Sequence, residues 1–164
     1  MKKLTILLAA VTYAGSFSLA FAHGDAGHAK EQATMKMEQK PWGIGGAAKA
    51  VTRSIVVSMT DSMRFSPEKI ELKQGDTVKF VLKNDGKLMH EFVIGTKKDL
   101  DAHAALMVKF PGMEHDEPYM AHVAPGKTGT IIWSFNKAGS FDFACLIAGH
   151  HQAGMVGKIT VAAK

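Results

Sequence analysis

The chain has 164 residues, with 20 Lys and Arg against 15 Asp and Glu, a formal charge of +5. That length supports one domain with an ordinary core, and so mild a positive charge gives no ground for a nucleic-acid role. One cysteine excludes an internal disulfide framework, while ten methionines and eight histidines are many for this size and are the residues to follow.

Lys2 and Lys3 precede the apolar run LTILLAAVTYAGSFSLAFA, whose end, Ala20-Phe21-Ala22, has a small-x-small cleavage pattern. Residues 1–22 therefore read as a secretory signal peptide, and the mature chain would start at His23. Thr5, Thr12, Tyr13, Ser16 and Ser18 dilute the run and argue against a membrane anchor. Loss of Lys2 and Lys3 leaves +3 over 142 residues. No later segment is long and apolar enough to span a bilayer, so the expectation is a periplasmic protein. An unpaired thiol in an oxidising compartment must then be buried and inert or shielded by a bonded partner.

Residues 23–50 show no sustained apolar periodicity and end in a Gly/Ala-rich stretch; they read as a flexible segment carrying His23, His28, Met35 and Met37. The folded domain is expected over 51–164. Ile55, Val57 and Met59, then Val78, Phe80 and Leu82, then His90, Phe92 and Ile94 alternate with period two, as in half-buried strands. Ser66-Pro67, Gln74-Gly75-Asp76 and Asn84-Asp85-Gly86 supply the turns between them. KKDLDAHAALMVKF places Leu100, Ala104 and Met107 along one side and stops before Pro111-Gly112, which predicts a helix. A loop through PGMEHDEPYMAHVAPGK follows, then strands containing Ile131, Trp133 and Phe135, then Phe141, Phe143 and Cys145, then Met155, Ile159 and Val161. Short strands with turn punctuation and one helical insertion indicate an all-β antiparallel sandwich.

On that frame Cys145 closes a strand, His150 or His151 lies in the loop after it, and Met155 opens the next strand. His90 shares the inward parity of Phe92 and Ile94 and supplies a second imidazole. Two imidazoles and a thiolate with a weak axial thioether form a type 1 copper site, which accommodates both copper oxidation states with little rearrangement. Zinc also takes one Cys and two His, but the axial Met and the sandwich favour copper.

His90 in MHEFVIG, with Cys145, His150 and Met155 at Cys-x4-His-x4-Met spacing in FACLIAGHHQAGMVGKITV, resembles the signature of the cupredoxins, the blue copper proteins. The segment from Gly95 to Phe135 resembles the helical insertion of periplasmic copper-tolerance cupredoxins of the CopI type, which also carry a His- and Met-bearing N-terminal extension. The resemblance spans nearly the whole mature chain. It implies a Greek-key sandwich with the insertion between the strand of the first His ligand and the strand of the Cys ligand, and one copper held by His90, Cys145, His150 and Met155.

Two positions depart from the pattern. Relatives commonly have Pro-Gly before the loop histidine and an aromatic after it, where this chain has Ala148-Gly149 and His151; without the proline the loop would be less restricted before metal binds. An Asn often follows the first histidine and ties the two ligand loops together, where this chain has Glu91. Its carboxylate is expected to accept a hydrogen bond from the Cys145 loop and to lower the copper potential.

Met113, His115, Met120 and His122, in or beside the insertion loop, are candidate accessory copper ligands, weighed against surface polar residues and gap-filling methionines. His23 and His28 are candidates in the N-terminal segment, and His103 on the helix reads as merely solvated. The expected function is a monomeric, single-copper electron carrier that contributes to copper tolerance and meets a periplasmic redox protein such as a cytochrome. The alternative is a copper buffer or chaperone. An enzyme is disfavoured, since copper oxidases and nitrite reductases need further His-rich sites, although weak cuprous oxidase activity is compatible with the ligand set.

Overall fold

Residues whose apolar side chains recur every second position fold as strands, and the Lys97 segment folds as a helix. In the computed structural model, which describes residues 37–111 and 115–164, the order is β1 (Ile44–Gly45), a 3-10 turn (Ala48–Ala50), β2 (Arg53–Thr60), β3 (Arg64–Ser66), β4 (Lys69–Lys73), β5 (Thr77–Asn84), β6 (His90–Gly95), α1 (Lys97–Lys109), β7 (Met120–Val123), β8 (Thr128–Ser134), β9 (Gly139–Ala144) and β10 (Val156–Ala162). Two five-stranded sheets face each other, in the orders β1-β8-β5-β2-β3 and β4-β10-β9-β6-β7. Most neighbours are antiparallel, as expected, but β2–β5 and β4–β10 run parallel. The chain leaves the first sheet at β4 and returns at β5, and such a crossover, unlike a hairpin, leaves β2 and β5 pointing the same way.

Val57, Met59, Val78, Phe80 and Leu82 of the first sheet share one core with Phe92, Ile94, Phe141, Phe143 and Ile159 of the second. Phe92 stacks on Phe143 at 4.8 Å, and Phe65 meets Phe143 edge-on at 5.0 Å. Each such ring contributes about 2–3 kcal/mol by leaving water. Helix α1 begins at Thr96, whose hydroxyl accepts the Asp99 amide, and buries Leu100, Ala104 and Met107. These residues cover Val93, Met120, Ala144 and Leu146 in a second, smaller cluster. Strand β6 is consequently buried on both faces rather than half-buried.

The expected set of strands lacks β3, β4 and β7. β3 and β7 have too few residues to establish alternation, and β7 (Met120–Val123) lies inside the stretch read as loop. β4 buries Ile70 and Leu72 between charged residues. Packed structure also starts before residue 51. Trp42 is buried, its carbonyl accepts the Trp133 indole N–H at 2.9 Å, and Tyr119 meets its ring edge-on at 5.4 Å. β1 then pairs with β8. One tryptophan in a Pro- and Gly-rich stretch has no period, so its burial is invisible locally. The signal peptide, His23, His28, Met35 and Met113 lie outside the described residues.

Asn84, buried at the end of β5, holds the approach to β6. Its amide Nδ2 donates to Leu88 O at 2.8 Å and Val123 O at 2.7 Å, and its Oδ1 accepts the Gly86 amide at 2.9 Å. Replacing Asn84 by Ala strands these groups and should cost about 2–4 kcal/mol, read as a lower urea midpoint with unchanged slope. A loss below about 0.5 kcal/mol, the range of an ordinary surface change, would contradict the role assigned to it.

Candidate metal centre

The two strands that carry the outer donors pair in antiparallel register, Val93 opposite Ala144 and Ile94 opposite Phe143. Continued past the end of β9, that register brings Cys145 beside Phe92 and Leu146 beside Glu91. The Glu91 amide donates to Cys145 Sγ at 3.3 Å. From each of His90, Cys145 and His150 one donor atom lies within 4.8 Å of the others. His150 Nδ1 is 3.3 Å from the sulfur, and the two imidazole rings are 5.1 Å apart.

The Cys145 loop is closed by its own backbone. Cys145 N donates to Met155 O at 3.1 Å, Met155 N to His150 O at 3.0 Å, and His150 N to Ile147 O at 2.9 Å. Gly149 sits at φ +91°, a left-handed conformation that strains any side chain, and its amide is capped by Gln152 Oε1 at 3.1 Å. Met155 is fully buried and shares the main core cluster with Cys145. These turns hold the loop despite Ala148 standing where relatives have proline.

His151 leaves the donor set. Its Nε2 faces Asp101 of α1 at 3.6 Å, so of the two adjacent histidines it is His150 that reaches the sulfur. Glu91 is 1% exposed, and its Oε2 accepts the amide of Leu146, the residue after Cys145, at 3.2 Å.

Asp61 is a residue that sequence reading missed. From the turn after β2 its carboxylate accepts the Lys87 amide at 2.8 Å and the Leu88 amide at 3.2 Å, and it faces His90 Nε2 at 3.2 Å. The backbone hydrogen bond from Lys87 is the largest cause holding the Asp61 pKa below its ordinary value. Gly86 permits this approach, because a Cβ there would lie 2.1 Å from Asp61 Oδ1. A turn aspartate is too common to stand out in a sequence.

Because a carboxylate accepts, Asp61 favours one tautomer of His90. With Nε2–H directed at the carboxylate, Nδ1 carries the lone pair, and Nδ1 is buried with no hydrogen-bond partner. A buried nitrogen with no hydrogen-bond partner, on a residue grouped with a thiol and a second imidazole, is suited to ligate a metal. Soft sulfur with two imidazoles, backed by a thioether residue, suits copper. The residues present fit the group.

The accessory candidates separate. Met120 is core, packed under α1 with Leu100, Ala104 and Met107. His122 Nε2 lies 3.2 Å from Glu91 Oε1. His115 stacks on His103 with their Nε2 atoms 3.1 Å apart, so His103 is paired rather than simply solvated.

Comparison with known proteins agrees with this geometry. Residues 51–162 match the model of the copper binding proteins of the plastocyanin/azurin family. The chain is 47% identical over 144 residues to the copper-resistant cuproprotein CopI of Rubrivivax gelatinosus, covering 85% of this chain and 87% of that protein. It is 39% identical over 149 residues to the CopI of Pseudomonas aeruginosa, covering 73% of this chain and 82% of the relative. Auracyanin B is similar in fold, with a TM-score of 0.61 at 19% identity over 73% of this chain and 96% of its own. The chain therefore belongs to the plastocyanin/azurin family of copper-binding proteins and, within it, to the cupredoxins of the CopI type.

Proposed function

We propose that this protein is a periplasmic, monomeric single-copper electron carrier that contributes to copper tolerance. The observation that carries the reading is the preset donor set, with His90, Cys145 and His150 converged in the folded chain and Met155 buried beside them. The name shared by its relatives, copper-resistant cuproprotein, supports the tolerance role. The signal pattern of residues 1–22 supports export, and no helix among the described residues is long and apolar enough to cross a membrane.

Copper held by these residues supplies one-electron exchange between Cu(II) and Cu(I). The chain's part is to keep the donors in place through that exchange. Asp61 orients His90, the Glu91 amide holds the sulfur, and the loop hydrogen bonds fix His150. His90, Cys145 and Met155 are fully buried, whereas His150 reaches partly to the surface, where a redox partner such as a cytochrome would approach. With this set complete there is no open position for a substrate, which supports a carrier over an enzyme.

A second reading, a copper buffer or chaperone, is favoured by one observation, the His103–His115 pair, whose facing imidazole nitrogens are suited to a further copper ion. Copper stoichiometry and reduction by a cytochrome separate the two. One tight ion with fast reduction supports the carrier; more than one tight ion with slow exchange supports the buffer.

Protein loaded with Cu(II) should show intense visible absorption from thiolate-to-copper charge transfer, absent in Cys145→Ser. A colourless complex of the unmutated chain would contradict a type 1 site.

Copper loading would displace a proton from the site. Burial pushes the Cys145 thiol up to about 12, so it is protonated at pH 7, and burial lowers the His150 pKa, keeping that imidazole neutral. Since the bound form is thiolate, loading should release about one proton per copper and the apparent affinity should rise about tenfold per pH unit across pH 7–9. Calorimetry in buffers of different protonation enthalpy measures the release, and a value near zero would show that the thiol does not bind the metal.

A further inference from the structure

The outer face of β6 holds a carboxylate that the ligand set does not use. Alternation along the strand puts Glu91 on the face that carries Val93, opposite the one that carries His90 and Phe92. A carboxylate taken out of water is tolerated only when hydrogen-bonded and paired, and the two oxygens of Glu91 divide that requirement. Oε2 accepts the Leu146 amide at 3.2 Å, and Oε1 faces His122 Nε2 at 3.2 Å.

Both contacts follow from register. The last rung between β6 and β9 is Val93 with Ala144, so the Leu146 amide lies just beyond the ladder, where the Glu91 side chain serves as its acceptor. On the other side Glu91 and His122 are directly opposed across β6 and β7. Burial raises the Glu91 pKa, and His122 is the main group opposing that rise.

We propose that His122 is a positioning residue of the copper centre: it holds the Glu91 carboxylate on the Leu146 amide and thereby fixes the peptide that follows Cys145. Its Nε2 is committed to Glu91, which sets it apart from the His103–His115 pair. The role gives β7 and the insertion a purpose at the metal centre, since they deliver a side chain that fastens Glu91 on the face of β6 opposite His90. It rests on the copper reading of the Cys145 site, and the test separates the two.

Amide hydrogen exchange in the metal-free protein reads the Leu146 contact directly. His122→Ala should speed exchange at Leu146 about tenfold, with Phe80 in the opposite sheet unchanged, and His122→Gln, which keeps a donor toward Glu91, should restore much of the protection. After copper loading, His122→Ala should shift the thiolate-to-copper band, and adding Glu91→Gln should shift it little further, because the two residues act through one contact. Unchanged Leu146 exchange in both His122 variants would overturn the proposal. A band shift that adds fully to that of Glu91→Gln would overturn it as well. If the unmutated chain develops no charge-transfer band, the copper reading fails, and Leu146 exchange still decides the role of His122.

Discussion

A hydrogen bond from the Glu91 amide to the Cys145 sulfur, 3.3 Å long, joins the two strands that bring the donors together. Much of the site's geometry depends on it. It lies where the β6–β9 ladder ends, so the register of two core strands determines where the sulfur sits relative to His90. A backbone donor on a buried strand cannot drift as a side chain can, and a thiolate formed there already has a partner. The loop from Cys145 to Met155 then needs only to return, and its closure onto Cys145 N carries His150 to the sulfur.

Around this contact the chain places two carboxylates of opposite character. Asp61 is exposed and acts from outside, engaging Nε2 of the His90 ring while Nδ1 is buried without a hydrogen-bond partner. Glu91 acts from within the wall, and burial raises its pKa. It can remain there because α1 and β7 cover that face of β6 and because Leu146 and His122 occupy its oxygens. The helical insertion is therefore more than an ornament on the sandwich. It turns a strand with one wet face into a wall buried on both sides, which makes room for a charged group beside the copper ligands.

The legibility of the site in sequence followed the distance over which its contacts act. Cys145, His150 and Met155 lie within one loop, so spacing alone grouped them, and His90 followed from the parity of Phe92 and Ile94. The long strands were legible because their alternation spans several residues. Asp61 was not, since it reaches His90 only after the β2–β3 turn is folded against Gly86, and no local pattern records that. The burial of Trp42 is a similar case, produced by Tyr119 and Trp133 far along the chain. His103 looked solvated because its partner, His115, lies beyond the end of its helix. His150 rather than His151 followed from the Cys-x4-His-x4-Met spacing and the family resemblance, and the fold supplies the physical reason by turning His151 toward Asp101 of α1.

The central claim is that the folded chain presents His90, Cys145 and His150 ready-made to one copper ion. Crystal structures of the metal-free and copper-loaded protein, the latter with anomalous data at the copper edge, test it most directly. The account predicts one strong copper peak among His90 Nδ1, Cys145 Sγ and His150 Nδ1, with the surrounding backbone superimposing within about 1 Å between the two states. A strongest peak elsewhere, or a Cys145–Met155 loop that refolds to make the site, would contradict it.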